Sequence, residues 1–600
     1  MSLQNQHHLI SDRRKFIGFF ASLGLSSTLF PGVLWAQLQQ KPSQKITREM
    51  LVAAEQLAGL HFTDAQREMM LAGVNDNAVF YDEIRRVHLE VTDAPALRFS
   101  PILPGMKFDK RNLPFRASTA PSVDRPESLE DVAFWSVLQL AELIKSRRVS
   151  SVALTEMYLA RLKRYDPILK CVITFTEELA MQQAQRADAE IAAGKYRGHL
   201  HGIPWGAKDL LSKKGYRTTW GAAPFKEQMI DHDATVITRL EEAGAVLVAK
   251  LSTGELAHAD IWFGGQTKNP WDPRRGSDGS SAGPASATAA GLVGFAIGTE
   301  TGGSIVDPAI KCGATALRPT FGRVSRHGVM PGAWSFDKVG PMCRSVEDCA
   351  LVLKAIHGPD GLDLTVVDLP FNWNAKVDAR KLRVGYLKAA FEEQHALKEE
   401  KVNDAATLDK LRTLGFSLQV VKLPDYPIEA ASLVAGISEL GSVWDEMIRS
   451  GQDALLTRQD SWHIGNLSRR AYMFPAVESL RANRIRTLIM QAAARIFDDV
   501  DVYVSPYTSA DGDGFDIDSN ASVVSSLNMQ MTNLTGHPVA VVQNGMTDYG
   551  TPTGIIFVGK LFGEAELLAV AKAYQDATDF RLQHPRLGSM PQQSTNRTST

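Results

Sequence analysis

Apolar and polar positions change period along this chain, and the changes divide it into segments. From about 44 to 92 the pattern is helical: Thr63-x-x-Gln66 has the form of a capping box, and Met69, Met70 and Leu71 follow within one turn. A proline-rich stretch comes next, with Pro95, Pro101, Pro104, Pro114, Pro121 and Pro126. It has no period and reads as an extended linker. From about 128 helical and strand patterns alternate. Ser151 is placed to cap a helix carrying Leu154, Tyr158 and Leu162 on one face, and Asp166-Pro167 is expected to end it. Cys171-Val-Ile-Thr-Phe175 reads as a strand. A helix at 236–243 leads through Gly244 into a strand at 246–249, and a capped helix is predicted over 345–356. The pairing repeats with helix 398–413 before strand 416–421, and helix 476–497 before strand 500–504. Such alternation predicts an α/β layer fold with a largely parallel or mixed sheet. No internal repeat is visible.

The two ends depart from this pattern. Arg13-Arg14-Lys15 precedes an uncharged stretch over 16–36 that is loosened by Gly18, Ser22, Gly24 and Ser26. This resembles a twin-arginine export signal, the address of folded proteins leaving the cytoplasm. Leu34-Trp35-Ala36 is an imperfect cleavage site, and the competing reading is an uncleaved membrane anchor. Either reading places the body outside the cytoplasm, periplasmic or secreted. At the other end, 588–600 is polar and is expected to be a disordered tail. The resulting organisation is a signal over 1–36, a helical and proline-rich extension over 37–127, a main domain over 128–587 and the tail. The extension could cover an entrance, pack on the core or mediate a homodimer.

Composition narrows the classes. Lys plus Arg number 65 against 67 Asp plus Glu, a net charge of -2, so no bulk charge asks for nucleic acid. Hydrophobic residues at 44% and charged ones at 22% are those of a globular chain. The cysteines Cys171, Cys312, Cys343 and Cys349 form no CxxC pair and read as buried small apolar residues, although Cys343 and Cys349 could pair in an oxidising compartment.

The window from Gly276 to Ile305 concentrates small residues: Gly279-Ser280-Ser281-Ala-Gly283, then Gly298-Thr-Glu-Thr-Gly-Gly-Ser304-Ile305. Small residues let backbone N–H groups approach a ligand. No Gly-Lys-[Ser/Thr] follows to make a phosphate loop, and no G-x-S-x-G elbow forms around Ser304. His327 and His537 read as ordinary polar residues near turns. Upstream, Lys208 follows the largely apolar Gly202-Ile-Pro-Trp-Gly-Ala segment. A desolvated lysine there would serve as a base, but by local chemistry alone a lysine snorkelling at a strand end fits better.

These three segments, in this order, resemble the hallmark segments of amidase signature enzymes, and 24 positions separate the two serines as in that family. Asn269-Pro-Trp-Asp272 and the run from Cys312 to Ser325 are similar as well. The resemblance spans roughly 128–585. It implies an amidase signature fold, a large mixed β-sheet covered by α-helices on both sides. It implies Ser304 as a nucleophile forming an acyl-ester, Ser280 as a bridging serine held by a cis peptide bond, and Lys208 as the ultimate base. The N–H groups of Thr301, Gly302, Gly303 and Ser304 would face the oxyanion. No metal or organic cofactor is implied, and the substrate would be a small-molecule or peptide amide.

Three positions depart from the family pattern: Ala282-Gly283 where two glycines are common, Val306-Asp307 where an arginine often stands, and Glu300 in place of an aspartate. Substrate walls are expected from segments such as 425–530, in which Trp444, Met473 and Phe474 read as core. Two other functions compete with a stand-alone exported amidase. One is the glutamine-hydrolysing component of a tRNA-dependent amidotransferase, against which the export signal argues. The other is an amidase-fold protein that binds without hydrolysis.

Overall fold

A strand buried on both faces carries unbroken apolar side chains, and Val539–Met546 and Pro552–Gly559 begin or run in that way. The computed structural model describes residues 46–84, 86–93, 95–120, 122–393, 397–507 and 523–587. The expected signal over 1–36 and tail over 588–600 lie outside them. The chain divides into two compact units between Glu90 and Val91.

In the first unit the helical stretch is two helices, Arg48–Ala58 and Asp64–Ile84. Gly59, at a left-handed φ of 65°, closes the first. The capping box opens the second: Thr63 N–H donates to Gln66 Oε1 at 2.7 Å and Gln66 N–H to Thr63 Oγ1 at 3.3 Å. Arg67 forks onto Glu55 through Nε and Nη2, both at 2.8 Å.

Among its described residues the second unit is built on thirteen strands: β1 (Val172–Phe175), β2 (Pro204–Lys208), β3 (Val246–Leu251), β4 (Ile261–Trp262), β5 (Gly265–Gln266), β6 (Phe295–Glu300), β7 (Thr315–Arg318), β8 (Lys338–Cys343), β9 (Val384–Leu387), β10 (Leu418–Val421), β11 (Val502–Pro506), β12 (Val539–Met546) and β13 (Pro552–Gly559). Eleven form one sheet in the order β1-β3-β2-β6-β8-β7-β12-β13-β11-β9-β10, and β4-β5 is a separate hairpin. The sheet is mixed. Strands β3, β2 and β6 run parallel, as do β11, β9 and β10, while the pairs between β6 and β11 are antiparallel. Alternate residues feed two cores: Ala540, Val542, Ile555 and Phe557 on one face, Val539, Val541, Ile556 and Val558 on the other. Helices therefore cover both faces.

Most predicted elements form within a residue or two. The helix Val346–Ile356 is capped by Ser345, whose side chain accepts from Asp348 N–H at 3.1 Å. One boundary differs. The helix from Ser151 runs to Leu169, through Pro167. Proline lies in its last turn, and the helix forgoes there the bond that an N–H at 167 would give to the Lys163 carbonyl. Asp166 then holds the exit by accepting the N–H groups of Cys171 and Val172, both at 2.8 Å. The proline-rich stretch is extended and tied down by backbone bonds, Arg116 N–H to Trp373 C=O at 2.9 Å and Ala375 N–H to Arg116 C=O at 2.8 Å. Trp444 is buried against Trp220, but Met473, expected in the core, is exposed and Phe474 is half-buried. All four cysteines are buried and free. Among the described residues no helix is long and apolar enough to cross a membrane.

Candidate active site

Strand β2 lies between β3 and β6 with all five residues buried, and it delivers Lys208 at its C-terminal end into the protein interior. The side chain has no solvent exposure. Its Nζ stands 2.8 Å from Ser280 Oγ, 3.0 Å from Ser281 Oγ, 3.0 Å from Thr299 Oγ1 and 3.4 Å from Thr299 C=O. Burial pushes the ammonium well below the ordinary lysine range, and the negative charges of Glu300 and Asp337 restore part of it. The snorkelling reading of Lys208 is therefore corrected: the side chain is fully buried, with Nζ held among Ser280, Ser281 and Thr299.

Two serines meet this lysine, and their other partners separate them. Ser281 Oγ donates to Thr299 C=O at 3.0 Å and accepts from Thr299 N–H at 3.1 Å, so its proton is committed. For Ser280 Oγ, Lys208 is the sole side-chain partner among the described residues. The Gly279–Ser280 peptide bond is cis. Gly279 is required on steric grounds, since a Cβ there would run into the Ala259 carbonyl.

Ser304 follows β6 in the turn that leads into the helix Val306–Cys312. Ser281 N–H donates to Ser304 C=O at 3.0 Å, which ties the two serine loops together. No direct side-chain hydrogen bond joins Ser280 to Ser304 among the described residues. The N–H groups of Gly302, Gly303 and Ser304 have no protein acceptor among the described residues, and Gly302 is exposed. They are donors available to a ligand.

A buried frame fixes this turn. Glu300 Oε2 accepts from Ile305 N–H at 2.9 Å and Val306 N–H at 3.0 Å, while Oε1 accepts from Arg318 Nη1 at 2.6 Å. Burial alone would raise the Glu300 carboxyl, but Arg318 and Lys338 more than offset it and hold it below the usual range. Thr301 Oγ1 donates to Asp337 Oδ1 at 2.6 Å, and Asp337 Oδ2 accepts from Gly332 N–H at 2.8 Å. Asp307, one of the departures from the family pattern, rests against Gly303, where a Cβ would meet its carboxyl. Burial, with Asp278 and Glu300 nearby, pushes that carboxyl well above its ordinary range.

Local sequence reading missed Ser281, Thr299 and Asp337 as partners of the lysine and the turn. For Ser281 and Thr299 the signal available was adjacency, since they lie beside Ser280 and Glu300; Asp337 carried no such signal. His537 is buried, stands 2.6 Å by Nδ1 from Thr535 Oγ1 and stacks on Phe497, while His327 stacks on His232. Neither is bonded to Lys208, Ser280 or Ser304 among the described residues.

Beside Ser304 lies a cavity of about 180 Å³ whose walls come from Leu256, Phe336, Leu433, Ile437, Leu440 and Trp462, with Gly436 and Gln530 between them. Much of this wall comes from 425–530, as the resemblance implied.

A family model described as Amidase matches residues 153–568. The A subunit of glutamyl-tRNA(Gln) amidotransferase from Methylococcus capsulatus is 36% identical over 482 residues, covering 75% of this chain and 98% of its own length. The peptide amidase of Stenotrophomonas maltophilia has a TM-score of 0.65 at 29% identity, covering 76% of this chain and 99% of its own. A structure described as an inhibitor-bound vestigial complex, informative on the origin of an s-triazine catabolic enzyme, has a TM-score of 0.67 at 28% identity, covering 74% and 98%. With the match running through the segments that carry Lys208, Ser280 and Ser304 and across most of the sheet that brings them together, this chain belongs to the amidase family.

Proposed function

We propose that this protein hydrolyses a carboxylic amide C–N bond through an acyl-ester on Ser304, with Ser280 relaying protons and Lys208 as the ultimate base. The observation that carries the reading is the fully buried Lys208 Nζ 2.8 Å from Ser280 Oγ, in the loop bonded to the Ser304 turn. An amine kept from water in this way gives up its proton readily and offers a lone pair.

In this mechanism Lys208 takes the Ser280 hydroxyl proton as Ser280 takes that of Ser304, whose Oγ bonds to the amide carbon. The carbonyl oxygen becomes an oxyanion facing the N–H groups of Gly302, Gly303 and Ser304, with Thr301 completing the turn. One such donor is typically worth about 3–4 kcal/mol to the transition state. When the intermediate collapses the C–N bond breaks, Ser280 gives a proton to the departing nitrogen, and Lys208 returns its proton to Ser280. Water then repeats the sequence on the ester.

Ser304→Ala is expected to lose amide turnover by roughly 10⁴-fold or more, and Lys208→Ala by roughly 10²–10⁴-fold, with folding retained. A serine-directed fluorophosphonate is expected to label Ser304 in wild type. Near-wild-type rates in either variant would overturn the proposal.

A second reading, glutamine hydrolysis within a tRNA-dependent amidotransferase, is favoured by the 36% identity to a component of such an enzyme. Glutaminase activity that appears only when the other components are added would establish it. The Arg13-Arg14 pattern speaks for export and action outside the cytoplasm instead.

A further inference from the structure

We propose that the acyl side of the scissile amide is an uncharged, apolar group about the bulk of a phenyl ring or a branched alkyl chain. The inference rests on Ser304 being the nucleophile.

The first observation concerns sidedness. The cavity is bordered by Ser304, Thr301 and Gly302 but by neither Ser280 nor Lys208. The leaving nitrogen must lie beside Ser280, which protonates it, so the cavity on the other flank receives the acyl group.

The second is size. An apolar cavity of ~150 Å³ holds a benzene molecule, and this one measures about 180 Å³.

The third is charge. Among the described residues no Lys, Arg, Asp or Glu lines the cavity. Burial, with His463 and Arg458 beside it, holds the His258 imidazolium down to about 3, so this wall residue is neutral at ordinary pH. Asn533 is already committed, accepting from Lys338 Nζ at 2.6 Å and donating to Met529 C=O at 3.2 Å. Gln530 Oε1 and His258 Nδ1 are buried without a partner among the described residues, which leaves neutral polar atoms for an N–H or O–H of the substrate. L-Glutamine carries both an ammonium and a carboxylate on its acyl side, and neither would find a counter-charge here. Unpaired ions are expelled from such surroundings.

The test is a kcat/KM series over acetamide, butyramide, hexanamide and 3-phenylpropionamide, with L-glutamine and succinamate as charged members. Rates are expected to rise about fourfold per buried methylene, the ratio that corresponds to ~0.8 kcal/mol, and to fall at least tenfold for the charged amides relative to butyramide. Gly436 supplies a steric test. On the helix Ile428–Val443, a Cβ at this position meets only Phe336, at 3.9 Å, so a larger side chain would enter the cavity. Gly436→Leu is expected to lower the ratio of 3-phenylpropionamide to acetamide by tenfold or more.

Fluorophosphonate labelling of Ser304 on the same preparation separates the two claims. Absent labelling and absent amide turnover would sink the nucleophile and this inference together. Labelled Ser304 with L-glutamine or succinamate hydrolysed as fast as butyramide would overturn the acyl assignment alone, as would an unchanged ratio in folded Gly436→Leu.

Discussion

Glu300→Gln tests whether the turn carrying Ser304 is held electrostatically. The substitution keeps shape and volume but replaces one carboxylate oxygen by an NH2 group. Glu300 accepts two backbone N–H groups through one oxygen and the Arg318 guanidinium through the other. Glutamine can accept on one side only, so either Arg318 or the Ile305 and Val306 N–H pair loses its acceptor. Both side chains of the ion pair are fully buried. Removing one member of such a pair typically costs about 3–5 kcal/mol, because the other charge stays buried without compensation. For a body of this size that corresponds to a fall of roughly 3–5 °C in the unfolding midpoint. Glu300 is held below its ordinary value of 4.5 in the folded protein, so its contribution is present above that pH and is lost as pH falls through the depressed value. The gap between wild type and variant should accordingly narrow in acid. The same charge raises the proton affinity of Lys208. Without it the lysine loses its proton at lower pH, and the acid limb of kcat/KM should move to lower pH. Thermal unfolding at pH 7 and 4 and a pH–rate profile check both parts. A midpoint within 1 °C of wild type, or an acid limb displaced upward, would refute the reasoning.

Asp404 offers the opposite sign. Burial pushes its carboxyl from 3.8 to about 8, against the hydrogen bond from Asn544 Nδ2 at 2.7 Å. The folded value exceeds the unfolded one, so this group's contribution is full below about 3.8 and is lost as pH rises through about 8. Asp404→Asn stays neutral, and it should match wild type near pH 4 and gain up to a few kcal/mol by pH 8 in denaturant titrations. For the N-terminal segment, replacing Arg13 and Arg14 together by lysine should leave activity in the cytoplasmic fraction, and fractionation showing unchanged periplasmic activity would count against export.

The apolar run at 246–249 specified a strand, and Ser345, Thr63 and Gln66 specified helix starts, because period and capping act over a few neighbouring residues. The segments around Lys208, Ser280 and Ser304 were legible only through their ordered resemblance to a family, since local chemistry alone favoured a snorkelling lysine. What the sequence by itself left open was decided by burial and by distance along the chain. Lys208 and Ser280 stand 72 positions apart, and only the sheet order that sets β2 beside β6 places the lysine under both serine loops and strips it of water. The helix runs past Pro167 to Leu169, and Asp166 receives the exiting chain through the N–H groups of Cys171 and Val172. Leu433, Ile437 and Leu440 face a cavity, and their pattern is the one a packed core would give. An apolar helix face is written identically whether it meets protein or substrate, and the tertiary structure alone determines which it meets.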